Sequence, residues 1–384
     1  MRNALPASSY SASLVAVAIG FGGTVALVVQ AGQVLGASPS QIVSMLAALA
    51  LGIGIPGAIL SWRLKIPVVL AWSTPGAALL AATTASYGWS TAIGAFVIAG
   101  LLMVLTGLVP ALGRLAARIP SAIASAMLAG VLLPFCLRLF QVLPQDIPLI
   151  VGLLAAYLLL RRIAPVWTLP AVLVAAFAVL AIRGQLGLPL DHGLFARLEP
   201  VMPQFDWRAA VGLALPLYLV TLASQNLPGL VVLQAAGYEP PASKLIFWGG
   251  VASTIAAPFG AHGVNLAAIT AAICTGPEAH PDSTQRWKVG LLYGLFYLVV
   301  ALFAAPLAGL FMAMPTQVLA AVTGLALIAP LSGSLATVFK EERAREAAIL
   351  TFIVTASGLA LFDIGSAFWG LMLGFAALLV LRKA

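Results

Sequence analysis

The chain has 384 residues, of which 62% are hydrophobic and only 8% are charged. A soluble domain carries about 25% charged residues, so this composition excludes a water-soluble enzyme of this length. The apolar segments are long and rich in Leu, Ala, Val and Gly, whereas a membrane β-barrel would show alternating segments of roughly ten residues. The sequence therefore predicts an all-α polytopic membrane protein. Its net charge of +8 is expected from basic cytoplasmic loops rather than from nucleic-acid binding.

Fourteen apolar segments are long enough, or nearly so, to cross the hydrocarbon core as helices, which takes about 20 residues. We predict transmembrane spans at 11–35, 40–62, 66–86, 91–110, 120–140, 145–161, 165–183, 209–235, 243–259, 260–276, 286–308, 312–338, 344–361 and 363–381. The connections are short, and only 184–208 is sizeable. No soluble domain is expected.

The distribution of basic residues predicts the orientation. With the N-terminus in the cytoplasm, only Arg138, Arg183, Arg197 and Arg208 face the other side. The cytoplasmic set is Arg2, Arg63, Lys65, Arg114, Arg118, Arg161, Arg162, Lys244, Arg286, Lys288, Lys340, Arg343, Arg345, Arg382 and Lys383. This bias follows the positive-inside rule and predicts both termini in the cytoplasm of a bacterium, with the chain in the inner membrane.

The fourteen spans divide into seven plus seven, and a repeat with an odd number of spans inserts its second copy upside down. Inverted repeats of this kind are common in secondary transporters. The best internal match joins residues 65–84, which include most of the third span, to residues 257–272, which include most of the tenth. Each stretch has a break rich in Gly and Pro followed by an Ala-rich helix of half the usual length, and the second of these helices is expected to begin at Asn265.

The two breaks predict a binding site. Pro67 and Pro75 in the third span, and Gly260 and Gly263 in the tenth, stop a helix from running through the membrane. A helix that starts at membrane depth presents free N–H groups and a partial positive charge, so two facing starts would bind an anion. The alternative is that Pro and Gly only kink two packed helices. The repeat-related positions favour the site.

Ionisable side chains are scarce at membrane depth. All eleven acidic residues fall in loops or at span ends, and His262 is the one titratable side chain in a predicted break. There is no paired-carboxylate site, metal cluster, nucleotide-binding loop or nucleophile constellation in the sequence. We therefore predict a protein that is not an enzyme and that uses no cofactor or metal.

The candidate substrate-binding side chains are polar groups at the breaks with aromatic residues nearby. They are Phe21, Thr24, Trp72, Ser73, Thr74, Ser224, Gln225, Phe259, His262 and Asn265. A single Thr or aromatic residue among them is equally explained by core packing or by a hydrogen bond to its own helix. The adjacent amides Gln225 and Asn226 are harder to explain without partners in a membrane. A neutral site of this kind suits a small organic anion with an apolar body.

Four segments carry a resemblance to the benzoate:proton symporter family over essentially the whole chain. They are Phe21–Val25, Leu70–Gly76, Thr221–Gly229 and Ala261–Ala268. The chain is similar, more distantly, to nucleobase–ascorbate and sulfate-type transporters. In nucleobase transporters acidic residues in spans eight and ten hold substrate and proton. Here Ser224–Gln225 and the stretch from His262 to Asn265 occupy those regions, which argues against uracil or xanthine as the substrate.

The resemblance implies a seven-plus-seven inverted-repeat fold in which spans three and ten are each a short strand plus a half-helix. It also implies a core domain, 1–118 (spans 1–4) and 209–309 (spans 8–11), and a gate domain, 119–208 (spans 5–7) and 310–384 (spans 12–14). Relatives of this kind are thought to move the core against the gate in an elevator-like manner, often as homodimers.

The predicted function is proton-coupled uptake of benzoate or a related aromatic carboxylate across the lipid bilayer. His262 is the candidate proton carrier because it alone could titrate at the site near physiological pH. Alternatively, the proton travels on benzoic acid itself or on water, and His262 is a neutral donor. Two rival functions are an inorganic-anion transporter of the sulfate type and a passive anion channel, both on the same fold.

Overall fold

The structure is a computed structural model that describes residues 5–83, 87–109, 111, 120–186 and 193–381. Five of the predicted cytoplasmic charges, Arg2, Arg114, Arg118, Arg382 and Lys383, lie outside these described residues, as does the predicted 118/119 domain boundary.

Helices account for most of the first half of the chain, with one short strand. The elements are α1 (Ala7–Gly22), α2 (Val25–Val34), α3 (Pro39–Leu64), β1 (Leu70–Trp72), α4 (Thr74–Ala81), α5 (Trp89–Leu108), α6 (Ser121–Gln141), α7 (Ile147–Ile163) and α8 (Thr168–Ile182).

The second half has the same character. It contains α9 (Trp207–Ala235), α10 (Ala242–Ala256), β2 (Val264–Leu266), α11 (Ile269–Thr275), α12 (Trp287–Leu302), α13 (Ala304–Met312), α14 (Thr316–Lys340), α15 (Arg345–Ala356) and α16 (Ser366–Val380). Two π-helical turns, Ala210–Ala214 and Leu222–Asn226, interrupt α9.

Several of these helices are long and apolar enough to cross a membrane. Within the described residues seven helical segments meet that requirement, or eight if Ser283–Leu302 and Ala304–Met312, bent by 65°, form one span. The remaining helices are shorter. The protein is therefore a multi-pass helical membrane protein, and the count of fourteen spans stays a prediction.

The helices pack in two groups. In the first group, α3 lies against α12, α5 lies against α10 and the first half of α9, and α1 contacts α11 and α12. In the second group, α6 lies against α14, α15 and α16, while α7 and α8 pack against each other and contact α14. The half-helix α4 belongs to the first group through α2 and also contacts α6. The division into a core and a gate domain stays a prediction.

Glycines set the closest helix contacts of the first group. A Cβ atom on Gly54 of α3 would lie 2.7 Å from the carbonyl oxygen of Gly294 on α12, and one on Gly294 would lie 2.6 Å from that of Gly54. A Cβ on Gly107 of α5 would lie 2.5 Å from the backbone nitrogen of Phe247 on α10. Small residues permit such backbone approach in membrane proteins, where van der Waals packing drives helix association.

The strands β1 and β2 form an antiparallel pair with Ala71 opposite Asn265. A serine from a neighbouring helix bonds the chain beside each strand. The Ser61 hydroxyl accepts from Val68 N–H at 3.0 Å and lies 3.1 Å from the Val68 carbonyl oxygen. The Ser253 hydroxyl accepts from Val264 N–H at 2.8 Å and lies 3.1 Å from that residue's carbonyl oxygen. Extended backbone inside the protein is thereby hydrogen-bonded, as membrane depth requires.

The strand and short helix expected in the third and tenth spans are both present, but the order of parts in the tenth span differs from the sequence-based interpretation. Asn265 was expected at the start of a half-helix, and this is wrong because it lies in the middle of β2. Gly260 and Gly263, with φ of 99° and 155°, turn the chain into the strand rather than into a helix. The helix α11 follows only at Ile269 and has seven residues.

The α3–α12 contact can be tested by adding one methyl group. Gly54→Ala forces the two backbones apart, and we expect it to lower the free energy of unfolding by about 1–3 kcal/mol, the usual cost of overpacking. Gly152→Ala on α7 is the matched control, since no neighbouring atom lies within 4 Å of its Cβ position. Thermal unfolding in detergent measures both variants. Equal midpoints for the two would show that the glycine contact is not close-packed.

Candidate substrate site

Ser73 organises the start of α4. Its hydroxyl accepts from Gly76 N–H at 3.0 Å, and its carbonyl oxygen accepts from Ala77 N–H at 2.8 Å. The same hydroxyl lies 2.7 Å from that of Thr221 on α9, and both side chains are buried. The hydroxyl therefore caps the Gly76 N–H, one of the groups expected to face an anion, whereas the Ala77 N–H makes the first bond within α4. Side chains at this helix start, together with the helix dipole, are the remaining candidate anion-binding groups.

The His262 side chain also contacts Ser73. Its Nε2 lies 3.1 Å from the Ser73 carbonyl oxygen. Because a carbonyl oxygen only accepts, Nε2 carries a hydrogen and Nδ1 of the neutral ring is an acceptor. Within the described residues Nδ1 is buried without a hydrogen-bond partner. Phe96 of α5 meets the ring edge to face, with centroids 6.4 Å apart.

Trp72 belongs to a separate aromatic cluster. Its Nε1 donates to the Thr24 hydroxyl at 2.7 Å, and Thr24 in turn donates to the Gly20 carbonyl oxygen at 3.2 Å. The indole meets Phe21 and Tyr297 edge to face at 5.7 and 6.3 Å. The cluster joins the break between α1 and α2 to β1. Phe21, Thr24 and Trp72 are therefore brought together as expected, with Tyr297 as an unforeseen member.

The π-helical turn Leu222–Asn226 carries the polar residues of α9. Ser224 and Gln225 are half-buried, and Thr74 at the start of α4 is also half-buried. Asn226 is buried, and its Oδ1 accepts from Leu266 N–H of β2 at 3.0 Å. The two adjacent amide side chains therefore differ in their surroundings: Asn226 is buried and bonds β2, whereas Gln225 is only half-buried. Turns of this type are frequent at functional sites.

Two predicted residues lie elsewhere than expected. Asn265, within β2, donates through Nδ2 to the Leu266 carbonyl oxygen at 2.9 Å, and its buried Oδ1 has no partner in the described part of the chain. Phe259 ends the short turn after α10, where its carbonyl oxygen accepts from Ser44 at 3.0 Å. No ring contact joins Phe259 to Phe21 or Trp72 among the described residues.

A small cavity of about 10 Å³ lies beside His262. Its lining includes Met103, Tyr218, Thr221 and Ser253. A pocket that encloses a drug-sized ligand has about 300–1,000 Å³, so side chains fill this region in the present conformation. Thr106 of α5, whose hydroxyl lies 2.7 Å from that of Tyr218, was not predicted and has no local sequence signal. Its position depends on the packing of distant spans.

The fold and the site together define a membrane transporter: polar side chains meet between two broken spans inside a multi-pass helical protein. The comparisons with known proteins agree. A family profile described as "Benzoate membrane transport protein" (BenE) matches residues 3–380. The chain belongs to this family, whose members are transporters and not enzymes.

Two curated relatives match nearly end to end. The chain is 39% identical to the inner membrane protein YdcO of Escherichia coli (strain K12), covering 98% of this chain and 97% of that one. It is 35% identical to the benzoate membrane transport protein of Acinetobacter baylyi, covering 98% and 95%. These relatives support a multi-pass protein of the inner membrane.

Solved structures of anion transporters share the fold. The transmembrane domain of a cyanobacterium bicarbonate transporter, BicA, has a TM-score of 0.64 at 16% identity and covers 96% of both chains. SLC26A9 has a TM-score of 0.66 at 14% identity and covers 97% of this chain and 64% of that one. At this identity the likeness concerns the fold alone.

The bond between Trp72 and Thr24 gives a test of the aromatic cluster. Thr24→Val keeps the side-chain shape but leaves the buried indole N–H without an acceptor, and we expect a loss of about 1–3 kcal/mol in the free energy of unfolding. Thr337→Val on α14 is the control, because the Thr337 hydroxyl bonds its own helix, at the Gly333 carbonyl oxygen, 3.1 Å away. Denaturation midpoints compare the two. A Thr24→Val midpoint equal to that of the control would contradict the assigned bond.

Proposed function

We propose that this protein takes up benzoate or a closely related aromatic carboxylate together with protons. The observation that carries the proposal is its 35% identity, over 98% of the chain, to a benzoate membrane transport protein. The site supports the same substrate class, because it offers hydroxyl and imidazole donors beside aromatic rings. In the proposal the carboxylate binds at the start of α4, near Ser73, Thr74 and His262.

The α9 helix completes the proposed site. Thr221 already bonds Ser73 at 2.7 Å, and the half-buried Ser224 and Gln225 lie one turn further along the same helix. The ring of the substrate packs towards Phe21 and Trp72, which lie beside the same break. Asn265 and Phe259 have weaker support than the other predicted residues, because β2 and the turn after α10 hold them in other surroundings.

The proton is proposed to bind His262 at Nδ1. Nε2 is engaged with the Ser73 carbonyl oxygen in either charge state, so only Nδ1 is free to gain or lose hydrogen. A protonated ring would donate from Nδ1 to the carboxylate and attract it electrostatically. A neutral ring would release it. Co-transport of positive charge would let the anion accumulate against an inside-negative potential.

Alternating access is proposed to be elevator-like, with the first helix group moving past the second. Equivalent contacts in the two halves of the chain support the inverted repeat on which this proposed motion depends. Ser61 and Ser253, on the predicted second and ninth spans, bond the backbone next to β1 and β2 in the same way. The α3–α12 contact joins the predicted spans two and eleven, and the α5–α10 contact joins spans four and nine. An inverted repeat matches span two to span nine and span four to span eleven, so it converts one of these contacts into the other. Fourteen spans, cytoplasmic termini and a homodimer complete the proposal.

The function is tested by uptake into proteoliposomes with an imposed pH gradient. We expect labelled benzoate to accumulate, salicylate to compete, and uracil, sulfate and bicarbonate to compete poorly. A protonophore should abolish accumulation. Competition by sulfate or bicarbonate alone would favour the inorganic-anion function, and protonophore-insensitive equilibration of benzoate would favour a channel.

His262→Gln tests the proton carrier, because glutamine keeps a polar donor but cannot titrate. We expect the variant to bind benzoate and exchange it across the membrane but to lose accumulation driven by a pH gradient. His280→Gln is the matched control, since His280 lies in the loop after α11, away from the proposed site, where its Nδ1 is 3.1 Å from the Asp282 backbone nitrogen and 3.0 Å from the Asp282 carbonyl oxygen. Wild-type accumulation by His262→Gln would show that the proton travels on benzoic acid or on water.

A further inference from the structure

An ion pair joins the two helix groups at one face of the molecule. Arg208, at the start of α9, donates from Nη1 to Oδ2 of Asp363 at 2.7 Å, and Asp363 lies in the loop between α15 and α16. The Tyr87 hydroxyl, just before α5, bonds the Asp363 carbonyl oxygen and lies 3.3 Å from the carbonyl oxygen of Arg208. Three segments distant in sequence therefore meet at one point.

The loop that presents Asp363 is strained. Phe362 and Asp363 both have left-handed backbones, with φ of 55° and 59°, between the bridged residues Leu361 and Ile364. Such a two-residue turn prefers Asn, Asp and Gly, so Phe362 is the residue that the turn conformation strains. The indole Nε1 of Trp369 lies 3.3 and 3.1 Å from the carbonyl oxygens of Leu361 and Ile364 and supports the turn. Non-glycine residues held in this region often mark functional positions.

A cavity of about 50 Å³ lies next to this junction. It is bounded by Thr83, two residues after the end of α4, by Gly130 of α6, by Gly212 of α9 and by Ser366 of α16. A Cβ atom on Gly212 would lie 2.9 Å from the Tyr87 hydroxyl and 3.2 Å from Cα of Ile364, so the ion-paired loop sits directly against this wall. The cavity therefore lies between the two helix groups, on the side of the Arg208–Asp363 pair.

We propose that Tyr87, Arg208 and Asp363 form a latch that closes this cavity to the extracytoplasmic side and opens in each transport cycle. The proposal rests on the relative motion of the two helix groups put forward above. Burial, together with the charges of Asp206 and Asp363, raises the pKa of Tyr87 to about 12, so its hydroxyl stays a donor at physiological pH. An exposed ion pair is weak by itself, which suits a contact that must break repeatedly.

The latch is tested by the accessibility of a cysteine in the cavity. Ser366→Cys is introduced together with Cys136→Ala and Cys274→Ala, and right-side-out vesicles are treated with a membrane-impermeant thiol reagent without benzoate. We expect Arg208→Gln to raise the labelling rate by about three- to fivefold, the upper range for an exposed pair. Asp363→Asn, which still suits a left-handed backbone, and Tyr87→Phe should act in the same direction.

Arg183→Gln is the matched control. Arg183 pairs with Asp146 at 2.5 Å, but both residues belong to the second helix group, so this change should leave the labelling rate unaltered. Thr83→Cys, on the α4 side of the cavity, repeats the measurement should Ser366→Cys fail to reach the membrane. Equal rates in the parent and the three latch variants would overturn the proposal, and so would labelling only from the cytoplasmic side. Because no benzoate is present, the result is independent of substrate identity.

Discussion

The pairing of β1 with β2 is the constraint on which the rest of the structure depends. Extended backbone inside a membrane has no water to bond, so every N–H and carbonyl group must find a partner within the protein. Each short strand supplies partners for the other, and side chains from four helices supply the remainder: Ser61, Asn226, Ser253 and Tyr293, the last donating to the Leu70 carbonyl oxygen at 2.9 Å. The same bonds fix where α4 begins, and hence where Ser73 meets Thr221 and His262.

The capped start of α4 limits the N–H groups that this helix can offer to an anion. The helix dipole of α4 remains, but the Ser73 hydroxyl already caps the Gly76 N–H. The groups with unused hydrogen-bonding capacity are side chains, above all Nδ1 of His262, which is buried without a partner among the described residues. In the proposed transporter, selectivity therefore rests on these side chains, whereas the fold is shared with the transmembrane domain of BicA and with SLC26A9.

Much of the broken-span architecture could be predicted from the sequence, because Pro and Gly interrupt a helix through local geometry. The placement of Ser73 and Thr74 at the first break followed from the same local pattern. The position of Asn265 could not, because a three-residue strand has no periodicity of its own and exists only by pairing with β1. Thr106, Ser253 and Tyr297 were missed for a related reason. Each reaches the site through packing between distant spans, which a single sequence does not display.

The π-helical turn Leu222–Asn226 has a consequence for how such transporters diversify. A turn of this kind accommodates one residue more than an α-helical turn. Loss of a single residue there would restore a regular helix and rotate the preceding part of α9 by about 100° relative to the following part. Thr221 would then turn away from Ser73 without any change of side chain at the site. A one-codon deletion in this turn is thus a route by which descendants of such a chain could acquire a different cargo.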